Sequence, residues 1–213
     1  KKVYVEVEQS QDKNFHIYIK DFDIKTQGRY KKNKLFLNEC NEKLKFIKTA
    51  IETCLNFSKR VVPLKIKTYS HQTSYNSKKI GFGSSAAVVV AAIYAILKSH
   101  NKDVSKKELF KLSAISHFIA QDYTGSCADI ACSVYGGIIS YRSFRKDWLE
   151  KQIKTQPVKN IIGKKWPNLK IEKLPVPKDF ILLCGWTQNQ SSTTAMIKRL
   201  LSWKNKYPKE YEK

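Results

Sequence analysis

The chain has 213 residues, with 40 Lys and Arg against 18 Asp and Glu, a formal net charge of +22. Hydrophobic residues at 42 % and aromatics at 12 % are ordinary for a folded domain and exclude wholesale disorder. The longest uncharged apolar run, Ala86 to Leu97, is far below the roughly 20 residues of a bilayer span. No charged start leads into an apolar stretch with a small-residue cleavage site, so the sequence reads as soluble and cytoplasmic.

Val3 to Glu8 and Phe15 to Ile19 alternate apolar with polar residues, which predicts two strands paired antiparallel with one buried face. Between Asn38 and Ser58 the period changes, and Leu44, Ile47, Ile51, Cys54 and Leu55 mark one face of a helix. A short strand, Leu64 to Tyr69, and a polar loop, Ser70 to Lys79, lead to Gly81. Ser84 to Ser99 is rich in Ala and Val and predicts a buried central helix. Ser105 with Glu108 spells a capping box that opens a helix from Lys106 to about Gln121. Ser126 to Tyr135 predicts a shorter helix, broken by Gly136-Gly137 ahead of a strand, Ile138 to Phe144. A less regular stretch with Pro157, Pro167, Pro175 and Pro177 follows, then a short buried strand, Phe180 to Gly185, and an amphipathic helix, Thr193 to Trp203. Strands, helices and strands again indicate an α+β domain.

The positive charge is nearly all lysine, spread along the whole chain; arginine occurs only at positions 29, 60, 142, 145 and 199. Base readout and bidentate phosphate clamping favour Arg, so a solvated surface fits better than a nucleic-acid footprint, and the aromatics fall at core periods rather than between basic residues. The five cysteines show no CxxC spacing, which suggests reduced thiols rather than zinc or disulfides.

The segment Lys78-Lys79-Ile80-Gly81-Phe82-Gly83-Ser84-Ser85-Ala86 is the most informative. Its glycines let backbone approach a ligand, and the serines stand where a helix begins, at unpaired N–H groups and the positive end of the dipole. That is an anion site, or equally a tight loop closed by a serine cap. It is neither a P-loop nor a GxGxxG turn. In the second segment, Gly125 to Gly137, Asp129 stands between Ala128, Ile130 and Ala131 one turn into the short helix. A carboxylate in such company is a catalytic candidate, or else a first-turn residue complementing the dipole.

GFGSSAA resembles the G-L-G-S-S-A-A signature of the GHMP kinases, with Phe82 in place of Leu. Within that superfamily GSCADIACSVYGG, Tyr141, Phe144, Trp166-Pro167 and Gly185-Trp186-Thr187 are most similar to the bacterial-type phosphomevalonate kinase family. The resemblance runs from about Phe36 to Leu201. It implies an N-terminal nucleotide-binding fold like the second domain of ribosomal protein S5, a mixed or antiparallel sheet packed on helices, over residues 1–175. Residues 176–213 would begin a ferredoxin-like C-terminal domain. The family's G-K-L-x-x-x-G-E-Y and S-G-A-G-G-G-D motifs are absent, so the chain reads as a piece of a longer enzyme.

The activity implied is transfer of the γ-phosphoryl of ATP to 5-phosphomevalonate, on the mevalonate route to isoprenoids, in a monomer or homodimer without nucleic acid or membrane. Carried over by motif, Lys79, Gly81, Phe82, Gly83, Ser84, Ser85 and Ala86 would bind ATP, with Lys78 as an alternative to Lys79. Ser85 would ligate Mg²⁺, and Asp129 would be the catalytic carboxylate. Ser126, Ser192 and Thr193 would contact the acceptor phosphate or serve as helix caps; Arg142 and Arg145 are weaker candidates. A phosphate acceptor, with a second pKa of about 6, is already largely deprotonated, so Asp129 is expected to orient rather than act as base. A mevalonate or homoserine kinase, or a basic RNA-binding module of similar architecture, are the alternatives.

Overall fold

A computed structural model describes residues 2–71, 74–75, 78–79, 83–183, 185 and 193–211. The elements in chain order are β1 (Lys2–Gln9), β2 (Phe15–Ile19), β3 (Ile24–Lys31), β4 (Lys34–Leu37), α1 (Lys45–Ser58), β5 (Leu64–His71), β6 (Ser74–Tyr75) and β7 (Lys78–Lys79). They continue with α2 (Ser84–Ser99), α3 (Lys106–Ala120), α4 (Ala128–Tyr135), β8 (Ile138–Arg142), α5 (Lys146–Thr155), α6 (Val158–Gly163), β9 (Lys170–Leu174), α7 (Thr193–Lys206) and α8 (Pro208–Tyr211). Two units emerge: residues 1–71 with 83–180, and residues 72–82 with 181–213.

The first unit holds a five-stranded mixed sheet in the order β1-β5-β2-β3-β4. The expected β1–β2 pair does not form. β5 lies between them, antiparallel to β1 (Val7 opposite Ile66) and parallel to β2 (Ile17 opposite Ile66). The polar connection after β1 is tied instead to the start of β5, where the Ser10 amide donates to the Pro63 carbonyl at 2.9 Å. The β3–β4 hairpin was not legible in the sequence. Its two-residue turn, Lys32-Asn33, has positive φ at both positions, the geometry whose twist matches flanking strands. β4 comes so close to Gly28 that an added Cβ would stand 2.0 Å from the Phe36 carbonyl oxygen.

One face of this sheet is the core face, carrying Phe15, Ile17, Ile19, Leu64 and Ile66, all buried. Helix α1 buries Ile47, Ala50, Ile51, Cys54 and Leu55, which follow the 3.6-residue period of its sequence. The central α2 contacts α1, α3, α4 and β1 and buries Ala86, Val89, Ala92, Ile93, Ile96 and Leu97. Each fully buried Ile or Leu adds about 2 kcal/mol of apolar transfer energy. Helix α3 opens with the expected box: the Ser105 hydroxyl accepts from the Glu108 amide, and the Glu108 carboxylate accepts from the Ser105 amide. On the opposite, outer face of the sheet aromatics do alternate with lysines. Lys25 stands over Tyr18, Lys67 over Tyr69, and Tyr69 stacks on Tyr4 at 5.0 Å, contrary to expectation.

The proline-containing stretch is more regular than expected, since it forms α5, α6 and β9, the last paired antiparallel with β8. Trp166 organises it. Its ring meets Phe144 edge-on at 5.1 Å and its Nε1 donates to the Ile161 carbonyl. Lys111 of α3 is buried, and its ammonium donates to the carbonyls of Ile162 (2.8 Å) and Lys164 (2.5 Å) at the end of α6.

The expected strand at Phe180 to Gly185 is absent among the described residues, and Ile181, Leu182 and Leu183 are exposed, Leu183 by 86 %. An apolar run becomes a buried strand only when other elements cover it; Pro175 and Pro177 just before it have no N–H to offer a ladder. In the second unit β6 and β7 pair antiparallel, and α7 and α8 are joined by ring contacts of Trp203 with Tyr207 and Tyr211. Among the described residues no helix is long and apolar enough to cross a membrane.

Candidate active site

Two helix starts and one buried side chain form the candidate site in the first unit. Gly83 is the N-cap of α2, with φ +67° and ψ +37°, a left-handed conformation natural to glycine. No side chain caps the helix, and the first backbone bond of the turn runs from the Ala87 amide to the Gly83 carbonyl. The amides at Ser84, Ser85 and Ala86 therefore stay open at the positive end of a 16-residue helix. The serine cap that the sequence allowed is not formed. Neither the Ser84 nor the Ser85 hydroxyl is hydrogen-bonded among the described residues, and both side chains are half-buried.

Helix α4 starts in the same manner. Its N-cap, Cys127, has φ +58° and caps nothing with its side chain. A left-handed non-glycine residue is strained and persists where its surroundings hold it; here the thiol points inward to the Ala114 carbonyl at 3.8 Å. Burial, with the nearby Asp129 charge adding to it, pushes that thiol's pKa up. The preceding carbonyl, of Ser126, accepts from the Tyr141 hydroxyl (2.5 Å) and the Ser143 hydroxyl (3.2 Å), which tie the turn to β8 and the residue after it. The Ser126 hydroxyl accepts from the Ala128 amide at 3.4 Å.

Asp129 occupies the first turn of α4, and a Cβ built on Gly83 would lie 3.9 Å from its Cβ. The two motifs, 46 positions apart (129 − 83), therefore meet at side-chain contact distance. One Asp129 oxygen, Oδ1, accepts from the Ile130 amide at 2.9 Å; the other, Oδ2, lies 3.8 Å from Nε2 of His117 on α3. The carboxylate is 40 % exposed and the imidazole 1 %. Burial lowers the His117 pKa, and Asp129 opposes that shift. His117 was missed in the sequence, where its one signal was a lone histidine on an apolar helix.

Lys79 pairs with Ser74 in the β6–β7 ladder of the second unit, and Thr193 begins α7 there. Gly81, Phe82 and Ser192 lie outside the described residues. The Arg142 Nε donates to the Asn168 carbonyl, and Arg145 pairs with Asp147. Among the described residues no three His, Cys, Asp or Glu side chains cluster as metal ligands.

Residues 45–137 match the GHMP kinases N terminal domain family. A phosphomevalonate kinase from Streptomyces sp. strain CL190 is 29 % identical over 160 residues, 74 % of this chain and 42 % of the relative. A Lin0012 protein from Listeria innocua has a similar structure, with a TM-score of 0.81 and 27 % identity over 98 % of this chain and 58 % of that one. So does Streptococcus pneumoniae phosphomevalonate kinase in complex with phosphomevalonate and AMPPNP, with a TM-score of 0.75 and 23 % identity over 91 % and 56 %. The chain spans less than half the length of that curated relative. It has the α+β fold of these structures, as the sequence motifs imply, and its match to the GHMP kinases N terminal domain is confined to residues 45–137.

Proposed function

We propose that this chain provides the nucleotide-binding, acceptor-orienting part of an ATP-dependent kinase that phosphorylates 5-phosphomevalonate to the diphosphate. The observation that carries this reading is the uncapped, glycine-started α2 facing Asp129 at contact distance. Open amides at a helix start suit a polyphosphate, and the reaction is chiefly one of positioning and charge neutralisation. The likeness to phosphomevalonate kinases supports this choice of acceptor. The Ser84 and Ser85 amides hold the phosphates, and Gly81, Phe82, Ala86 and Lys79 complete the nucleotide contacts by motif. Asp129, anchored through Oδ1 on its own helix, orients the acceptor. Ser126, Ser192 and Thr193 contact the acceptor phosphate.

Mg²⁺ fits the site as a hard ion that takes one or two protein oxygens and leaves the remainder to phosphate and water. The free Ser85 hydroxyl is such a donor and would hold it; when bound, the ion would neutralise charge on the transferring phosphoryl group. The domain division near residue 175 and the cytoplasmic setting belong to the same reading.

The test is ATP titration of the chain followed by ADP release with phosphomevalonate, mevalonate or homoserine as acceptor. ADP release dependent on phosphomevalonate is expected. Release with another acceptor alone would mark a sister kinase. The lysine-lined tyrosines on the outer sheet face favour one rival, a basic RNA-binding module. Absent ATP affinity together with steeply salt-dependent RNA binding would establish that rival instead.

A further inference from the structure

The buried histidine beneath Asp129 has no explanation in packing. His117 is almost wholly enclosed, its ring lies against Phe46 with centroids 5.2 Å apart, and neither ring nitrogen has a hydrogen-bond partner among the described residues. A core position filled for shape alone would take a hydrocarbon, because a buried polar group without a partner is costly. His100 is similarly unpaired, but it caps the far end of α2 and forms no ion pair among the described residues. His117, in contrast, directs Nε2 at Oδ2 of Asp129, at 3.8 Å. That is just beyond hydrogen-bond length, so a small turn of the Asp129 side chain would close it.

We infer that His117 is a positioning residue: its Nε2–H binds Oδ2 of Asp129 when the acceptor is in place and fixes the plane of the carboxylate. The inference rests on the kinase reading above. Asp129 is then held at both oxygens, Oδ1 by the Ile130 amide of its own helix and Oδ2 by a ring on α3. Enclosure favours the neutral imidazole, which can donate one proton in a hydrogen bond without cancelling the charge that Asp129 presents. The arrangement differs from a general base: no proton is transferred, and the ring sets direction only.

Two measurements on the full chain decide this. The first needs no turnover. With ¹⁵N-labelled histidine, the ring resonances of His117 are recorded across pH in the parent chain and in Asp129→Asn. A displaced titration and altered ring shifts are expected; identical spectra overturn the inference. The second compares His117→Phe, which keeps a flat ring against Phe46 but no donor, with His117→Gln, which restores an N–H. A fall of about tenfold or more in kcat is expected for the Phe variant, the size seen when a partner orienting a functional ligand is lost. KM for ATP should stay within about twofold of the parent, and the Gln variant should recover most of the rate. A folded Phe variant at parental kcat, or a Gln variant no faster than Phe, overturns it. If the parent chain phosphorylates none of the acceptors, the kinase reading fails by itself, and the ring spectra still decide whether His117 senses Asp129.

Discussion

Helices α2 and α3 begin in opposite ways. At α3 the first turn is closed by its own sequence, with Ser105 and Glu108 each satisfying an amide of the other. At α2 the first turn offers a glycine N-cap in a left-handed conformation and two serines whose hydroxyls bond to nothing described. A capped helix end spends its amides on stability, whereas an open one keeps them for a ligand. Helix α4 brings Asp129 to the open end and not to the closed one.

Four substitutions would break or sharpen this contrast. The largest effect is expected for Asp129→Asn: a loss of about 100-fold or more in kcat with the melting temperature nearly unchanged, measured by coupled ADP release. Its pH–rate profile should keep the parental shape, whereas a vanished acidic limb would reveal base catalysis. Next, Gly83→Ala forces a methyl group into a left-handed turn. The space admits it, since the nearest atom is 3.9 Å away, so the backbone carries the cost of about 1–2 kcal/mol. ATP affinity, read by calorimetry, should fall with it, by about tenfold if one amide contact of ~1.4 kcal/mol is lost.

Ser105→Ala should cost about 1 kcal/mol in denaturant melts and leave ATP affinity untouched, which is the sharpest single contrast between the two helix starts. The smallest effect is on pH dependence. The Ser105 amide, with its hydroxyl, holds the Glu108 carboxyl below its ordinary value of 4.5. A lowered carboxylate contributes stability that is complete above the unfolded pKa and is lost as pH falls through the lowered folded value. Melting temperature should therefore drop less steeply below pH 4.5 in Glu108→Gln than in the parent.

How much of this was legible follows from how local each feature is. The bounds of α2 and the capping box of α3 were readable, because caps and helical periods lie within a few residues. The sheet order was not: β5 enters between β1 and β2 from some 50 residues away, and strict alternation cannot name a strand's neighbour. The β3–β4 hairpin hid behind charged residues on its exposed face and a Lys-Asn turn in place of the usual Asn-Gly. Helices α5 and α6 hid around Pro157, which is the N-cap of α6 rather than a breaker of both. The run 180–183 misled in the opposite direction, since apolarity marks a need for cover and does not supply it. At the site, the glycine turn and Asp129 were each visible, but their meeting and the ring of His117 are products of three helices converging.

The buried Lys111 has a consequence for how this highly charged protein tolerates ionic strength. Its ammonium enters the core without a carboxylate partner among the described residues and is received by two carbonyl dipoles at the end of α6. Mobile ions shield exposed charges within about 10 Å at 0.1 M, yet they have no access to an enclosed ammonium. Brine strong enough to silence the +22 surface would thus leave the α3–α6 joint intact, while neutralising that one nitrogen, as acetylation does, would unfasten it.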